Sequence, residues 1–185
     1  MQYAVIFLPL LGSIIGYFGK FISSKFSEYI TSLFVLVAAL ISIYIFYNGI
    51  TNNIYGNYKI FQWISSGNFQ ADWSINIDPL SSIMLVVVTS VSALVHIYSI
   101  GYMSNDPHKP RFMSYLSLFT FSMLALIVSD NFLQLFFGWE GVGLCSYLLI
   151  GFWYKKNTAN NAAIKAFVVN RVGDFGLAVG IFLIF

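Results

Sequence analysis

A single carboxylate, Glu140, lies inside the most apolar part of the chain and restricts the fold more than any other feature. Residues 131–154 read NFLQLFFGWEGVGLCSYLLIGFWY, and Glu140 is the only charge among these 24 residues. A helix needs about 20 apolar residues to cross the hydrocarbon core of a bilayer. An ionisable group at that depth costs at least about 2.5 kcal/mol and commonly marks an ion pathway or a proton relay. The stretch predicts a transmembrane helix with a functional acid inside it.

The composition is typical of a membrane protein. Of the 185 residues, 58% are hydrophobic and 9% are charged, whereas soluble domains have about 25% charged residues. The net charge of +2, without a basic run among aromatics, argues against a nucleic-acid partner. The lone Cys145 cannot by itself form an internal disulfide, a zinc site or an iron–sulfur cluster. We therefore expect an all-α membrane protein in contact with the lipid bilayer.

Long apolar blocks predict six transmembrane helices. The blocks cover residues 3–22, 29–47, 80–103, 112–128, 132–154 and 161–185. Asp78-Pro79 is typical of a helix start, and two prolines between residues 104 and 111 exclude a continuous helix there. Ser129-Asp130-Asn131 predicts a tight turn. The polar stretch 48–78 predicts a surface hairpin of two short strands around Ser66-Gly67-Asn68.

The basic residues of the loops predict the orientation of the helices. The first, third and fifth connections hold six bases, namely Lys20, Lys25, Lys109, Arg111, Lys155 and Lys156. The opposite connections hold only Lys59. Because basic loops stay on the inner side of a membrane, the N-terminus and the hairpin should face outward.

Four charges in the last two spans are the candidate site residues. At a rise of 1.5 Å per residue, Glu140 lies roughly 12 Å from the outer boundary and Arg171 roughly 15 Å from the inner one. We therefore expect Arg171 to approach Glu140 near the midplane. Asp174 shares a helix face with Arg171, since residues three apart are neighbours. Lys165, about 6 Å deep, is positioned to extend to the inner surface.

A structural interpretation of these charges stays open beside the functional one. Arg171 and Asp174 can neutralise each other as an i,i+3 ion pair. Glu140 can be a protonated carboxyl, because burial disfavours the charged form, although such an acid is also suited to exchange protons. Lys165 can serve only as a surface anchor. His96, near the inner end of the third span, is expected to be a packed, hydrogen-bonded side chain rather than a proton relay.

Four strings in the sequence resemble a known family. FFGWEGVGLCSYLLIGFW and the following AAIKAFVVNRVGDFG closely resemble the antiporter-like membrane subunits of respiratory complex I, of the subunit L or mitochondrial subunit 5 type. INIDPLSSIML and HIYSIGYMSND are similar to the same family, and the resemblance covers essentially the whole chain. The large subunits of Mrp-type cation/proton antiporters share parts of these motifs.

The resemblance implies roles for the candidate residues. Glu140 matches an essential glutamate on helix five that tunes a lysine on helix seven, Arg171 and Asp174 match an RVGD motif on helix six, and Lys165 matches the lysine before it. In the family these residues line a half-channel in the first of two inverted repeats, an arrangement known from transporters. Residues 1–111 would then be an N-terminal segment of three helices with the hairpin. Residues 112–185 would be the first three helices of the first repeat.

The resemblance also implies the reaction to which the protein is coupled, its partners and its membrane. Proton pumping would be coupled to electron transfer, with NADH, FMN, iron–sulfur clusters and quinone held by partner subunits and no cofactor in this chain. The partners would be other membrane subunits of complex I, in a bacterial plasma membrane or a mitochondrial inner membrane. Family members are much longer, so we expect an N-terminal fragment that cannot pump alone. A cation/proton antiporter subunit and a structural membrane fragment stay open as alternatives.

Overall fold

Six long apolar helices and one β-hairpin form the part of the chain that the structure describes. This computed structural model describes residues 1–19, 21, 23–66 and 69–184. The elements in chain order are α1 (Gln2–Gly19), α2 (Ser24–Asn52), β1 (Gly56–Ser66), β2 (Phe69–Ile77), α3 (Pro79–Tyr102), α4 (Lys109–Ile127), α5 (Phe132–Ile150) and α6 (Asn157–Ile184). Each of these helices is long and apolar enough to cross a membrane. The prediction of a helical membrane protein with six spans is confirmed.

Several predicted helix ends were wrong. Helix α2 starts at Ser24 and continues through the polar residues after Tyr47, until Asn53 adopts a left-handed conformation with φ 51°. Helix α5 ends at Ile150 rather than Tyr154, and α6 starts at Asn157 rather than Asn161. The physical reason is that hydropathy marks the apolar thickness, whereas helical hydrogen bonding continues into polar residues or stops within apolar ones.

The starts of α3 and α4 are determined by residues close to them in the sequence. Asp78 Oδ1 accepts from the Ser81 backbone N–H at 2.6 Å, and Ser81 Oγ accepts from the Asp78 N–H at 2.7 Å. This reciprocal capping box, followed by Pro79, confirms the predicted helix start. Helix α4 starts at Lys109, so Pro110 is in its first turn and the preceding connection is shorter than predicted.

Small and polar side chains hold the helices together. Helix α1 packs on α2 and α4, α2 on α3, α4 on α5, and α5 on α6. Hydroxyl pairs join neighbouring helices: Ser13 Oγ lies 3.1 Å from Ser114 Oγ, and Ser42 Oγ lies 2.7 Å from Thr89 Oγ1. Interhelical contacts of this kind are usual in membranes, where apolar side chains gain little by leaving lipid. His96 is fully buried and its Nδ1 donates to the Ser92 carbonyl at 2.8 Å, as expected for a packed histidine.

The predicted hairpin is present as an antiparallel pair, with a register from Gly56↔Ile77 to Ser66↔Phe69. Gly67 and Asn68 of the predicted turn lie outside the described residues. Strand β2 is docked onto the turn between α4 and α5. The side-chain amide of Gln134 pairs with both backbone groups of Ser74, with Ser74 N–H to Oε1 at 3.1 Å and Nε2 to Ser74 O at 2.8 Å. Asn131 Nδ2 adds a bond to the Asp72 carbonyl at 2.7 Å, so the start of α5 and the hairpin form one unit.

The basic connections meet at the other end of the bundle. Lys109 Nζ forms a 2.9 Å ion pair with Glu28 Oε1 of α2, and Arg111 Nη2 donates to the Phe152 carbonyl after α5 at 2.9 Å. The Trp153 indole donates to Asp106 at 3.0 Å. Partial burial raises the pKa of Asp106, but this indole and the His108 backbone N–H lower it below its ordinary value. The predicted clustering of basic loops at one end is confirmed, although Lys20 lies outside the described residues.

Candidate ion-pair site between the fifth and sixth helices

Helices α5 and α6 bring three of the four candidate residues into one network. Arg171 Nη1 lies 2.5 Å from both carboxylate oxygens of Glu140. The same nitrogen lies 3.5 Å from Asp174 Oδ2, one helical turn further along α6. The expected approach of Arg171 to Glu140 is confirmed, and so is the i,i+3 contact of Arg171 with Asp174. One guanidinium is therefore shared by two carboxylates.

The three side chains differ strongly in exposure within the described chain. The exposed fraction is 5% for Asp174, 24% for Glu140 and 47% for Arg171. Asp174 is thus enclosed between α5 and α6, whereas Arg171 borders the open surface of α6. The guanidinium carbon of Arg171 also lies 4.6 Å from the centroid of the Phe167 ring, a favourable cation–π distance. The network runs from an enclosed carboxylate to a partly open one.

Two residues that the sequence analysis did not select donate to Asp174. The Trp139 indole Nε1 donates to Asp174 Oδ1 at 2.8 Å. Asn170 Nδ2 lies 3.4 Å from Oδ1 and 3.5 Å from Oδ2. The i,i+4 spacing of Asn170 and Asp174 could have indicated the second contact. The sequence contains no comparable signal for Trp139, because that contact crosses between helices.

Glycines of α5 allow the close approach on both of its sides. A Cβ at Gly138 would lie 2.7 Å from the backbone of Leu126 in α4. A Cβ at Gly143 would lie 2.6 Å from Asn170 Nδ2 in α6. Glycines around Glu140 therefore permit close packing at these positions. Helix α5 is held tightly between its two neighbours.

Lys165 does not join the network. Its side chain is exposed on α6, and within the part of the chain that the structure describes it has neither a hydrogen bond nor an ion pair. Because α6 begins at Asn157, Lys165 lies about 12 Å along the helix from its first residue. This distance exceeds the roughly 6 Å counted from the predicted apolar block, because the helix begins four residues before that block, which starts at Asn161. Lys165 is therefore separate from the other three charges in this structure.

A cavity of about 260 Å³ lies next to the network, between α5 and α6. Its lining includes Trp139 and Asn170, which contact Asp174, together with the hydroxyl groups of Ser146 and Tyr147. The rest of the lining is mostly apolar, but these groups can hydrogen-bond water, and a cavity of this volume has room for several molecules. Among the residues described, no group of three His, Cys, Asp or Glu side chains is close enough to hold a metal ion.

The fold and this network define a multi-pass membrane protein with an ion-paired site between its helices. Residues 63–113 match the family model described as NADH-Ubiquinone oxidoreductase (complex I), chain 5 N-terminus. Residues 129–185 match the model described as NADH:quinone oxidoreductase/Mrp antiporter, TM. The chain belongs to the chain 5 or subunit L family of complex I.

Individual relatives agree with this assignment. NADH-ubiquinone oxidoreductase chain 5 of Chondrus crispus is 54% identical over 187 residues, which is 100% of this chain and 28% of the relative. NADH-quinone oxidoreductase subunit L of Rickettsia felis is 56% identical over 182 residues, with 97% and 28% covered. The chain thus spans a little over a quarter of the length of these relatives.

A solved structure shows the same fold at low sequence identity. A chain in the structure of the membrane-bound sulfane sulfur reductase (MBS), an archaeal respiratory membrane complex, superposes with a TM-score of 0.79 at 20% identity. The match covers 97% of this chain and 36% of that chain. At this identity the likeness supports the antiporter-like helix bundle alone.

Proposed function

We propose that this chain is part of a proton-translocating membrane subunit of NADH:quinone oxidoreductase, and that Glu140 is its proton-loading group. The observation that carries the proposal is the sharing of Arg171 between Glu140 and Asp174. The names of the relatives, chain 5 and subunit L, support the assignment to that complex. Since the chain spans 28% of those relatives, pumping is an activity of the longer protein.

The charges of the network support the binding of one proton. With both carboxylates ionised, the single guanidinium leaves the network with one uncompensated negative charge. An unpaired charge in a low-dielectric interior is costly, so binding one proton neutralises the network. Glu140 is the more exposed of the two acids, and Asp174 has additional donors from Trp139 and Asn170. We therefore propose Glu140, the acid nearer the open surface, as the group that exchanges the proton.

Protonation of Glu140 would change the partner of Arg171. An ionised Glu140 holds the guanidinium at 2.5 Å, and a neutral one loses most of that attraction. Asp174, 3.5 Å from the same nitrogen, is then the nearest anion. A small movement of Arg171 toward Asp174 would accompany each proton loaded. The movement of this charge is the means by which the site can communicate with later helices of the longer protein.

The same proposal gives roles to Lys165 and Asp174. Lys165, which is unpaired among the described residues, supplies protons from the inner surface, and Asp174 stabilises Arg171 in the loaded state. NADH, flavin, iron–sulfur and quinone chemistry belongs to partner subunits, and this chain holds no redox cofactor. The surroundings are other membrane subunits of the complex in a bacterial plasma membrane or a mitochondrial inner membrane.

The decisive experiment is Glu140→Gln in the full-length subunit within the assembled complex. NADH-driven proton uptake into proteoliposomes should fall by at least tenfold, normalised to the amount of assembled complex. Glu28→Gln is the matched control, because it neutralises another buried glutamate, one that pairs with Lys109 outside the network. Pumping by Glu140→Gln at the control level would refute the proposal. Exchange driven by a cation gradient instead of NADH oxidation would indicate an Mrp-type antiporter.

We further propose that the N-terminus and the hairpin lie outside, because the bases cluster at the opposite end of the bundle. Single cysteines at Gln70 and Asn157, both exposed positions, test this in a Cys145→Ser background. In sealed vesicles, an impermeant thiol reagent should label these two positions from opposite sides. Equal labelling from one side would contradict both the orientation and the span assignment.

A further inference from the structure

We propose that Trp139 is a positioning residue of the proton site: its indole N–H orients the Asp174 carboxylate so that Oδ2 faces Arg171. The inference rests on the proposed function, because it assigns a further residue to the same network. Trp139 precedes Glu140 directly in the sequence. Two consecutive residues of α5 therefore contact two charged residues of α6 that lie one turn apart.

The contacts of Asp174 divide between its two oxygens. Oδ1 accepts the 2.8 Å bond from the Trp139 indole, whereas Oδ2 is the oxygen nearest to Arg171, at 3.5 Å. Asn170 lies at 3.4 and 3.5 Å from the two oxygens, close to the limit for a hydrogen bond. Among the described residues, the indole bond is thus the one short contact of a carboxylate that is only 5% exposed. Its geometry determines which oxygen is presented to the guanidinium.

The indole also affects which of the two carboxylates pairs with Arg171. A buried carboxylate without enough donors carries a large desolvation cost. With the indole bond in place, Asp174 can remain ionised while Arg171 stays with Glu140 at 2.5 Å. Without the bond, Asp174 would compete more strongly for the guanidinium. Glu140 would then lose the partner that holds its carboxylate.

Asn170 supports the same carboxylate from within α6. Its amide fits against Gly143, where a Cβ would lie only 2.6 Å from Nδ2. The amide is therefore held between the α5 backbone and Asp174. Because its distances to Asp174 are long, we assign it a smaller share of the orientation than the indole. Among the described residues, the charged group in contact with Asp174 is Arg171 of its own helix, which also pairs with Glu140 of α5.

Trp139→Phe in the full-length subunit of the assembled complex tests the proposal, because it removes the N–H donor and retains an aromatic ring. The rate of NADH-driven proton pumping is measured between about pH 5 and 9. We expect the acid limb of the profile to move to higher pH by about one unit, since one hydrogen bond to a charged group is worth roughly that shift. Asn170→Ala should give a smaller shift in the same direction.

Trp153→Phe is the matched control, because it removes an indole–carboxylate bond to Asp106 outside the network and should leave the profile unmoved. In an Asp174→Asn background, Trp139→Phe should no longer shift the profile, since the indole acts through that carboxylate. Lower thermal stability of Trp139→Phe with an unchanged pH profile would overturn the positioning role.

The same experiment separates the two proposals. An unmoved profile in both Trp139→Phe and Asn170→Ala, together with loss of pumping in Glu140→Gln, would reject the positioning role alone. Undiminished pumping in Glu140→Gln would instead reject the proposed function. If Trp139→Phe fails to assemble, Asn170→Ala tests the orientation of Asp174 instead. A shift of its pH profile to higher pH supports the positioning role, and an unmoved profile rejects it.

Discussion

Replacing Gln134 with Leu should detach the hairpin from the helix bundle. Gln134 is 1% exposed, and its amide is the hydrogen-bond partner of both the N–H and the carbonyl of Ser74, which is itself 2% exposed. Leucine has a similar size but can neither donate nor accept. Two buried backbone groups would lose their partners, at about 1–3 kcal/mol each. The expected destabilisation of the docked hairpin is therefore about 2–6 kcal/mol.

Hydrogen exchange in detergent micelles measures this loss at the hairpin itself. The Ser74 amide should exchange at least tenfold faster in Gln134→Leu, and limited proteolysis should cut β2 earlier. Gln134→Glu retains an acceptor for the Ser74 N–H but loses the donor to its carbonyl, so it should be intermediate. Gln70→Leu, at an exposed position of β2, is the control and should change stability by less than about 0.5 kcal/mol. Equal exchange rates in Gln134→Leu and Gln70→Leu would refute the anchoring role.

Two further substitutions test the packing of the bundle. Gly138→Ala should lower stability by about 1–3 kcal/mol in thermal unfolding, because its Cβ would lie 2.7 Å from the α4 backbone. Gly173→Ala, with no atom within 4 Å of the added carbon, is its control, and an equal loss at both positions would contradict the explanation. Glu28→Gln should lower the unfolding midpoint, because Lys109 loses a charged partner in a site only 4–14% exposed. Lys59→Gln, which removes an exposed ion pair, should change the free energy of unfolding by less than about 1 kcal/mol. A larger loss in Lys59→Gln than in Glu28→Gln would contradict this ranking.

Local and compositional features were predictable from the sequence. The number of helices follows from the apolar blocks, since a membrane span needs a nearly continuous apolar run. The start of α3 follows from Asp78-Pro79, because a cap depends on neighbours within one turn. Helix ends were less predictable, as the length of α2 shows. Asn48 to Asn52 are polar enough to suggest a loop, yet they remain helical beyond the apolar block.

The candidate site was predictable in part. Glu140, Arg171 and Asp174 stand out because a charge in an apolar helix is costly and rare. Their depths, from a constant rise per residue, were enough to predict that Arg171 approaches Glu140. The contact of Trp139 with Asp174 could not be predicted in this way. In a chain with 19% aromatic residues, the local sequence does not distinguish a tryptophan that faces lipid from one that donates to a carboxylate.

The sequence by itself determined the class of the protein, the number of its spans and the charges that matter, because these depend on hydropathy and on spacing along one helix. Only the tertiary structure decided which oxygen of Asp174 faces Arg171, that Trp139 donates to Asp174, and that Gln134 pairs with Ser74. Each of these outcomes depends on the rotation and separation of two different elements. Such quantities result from packing across the whole bundle, and no residue pattern within one element encodes them.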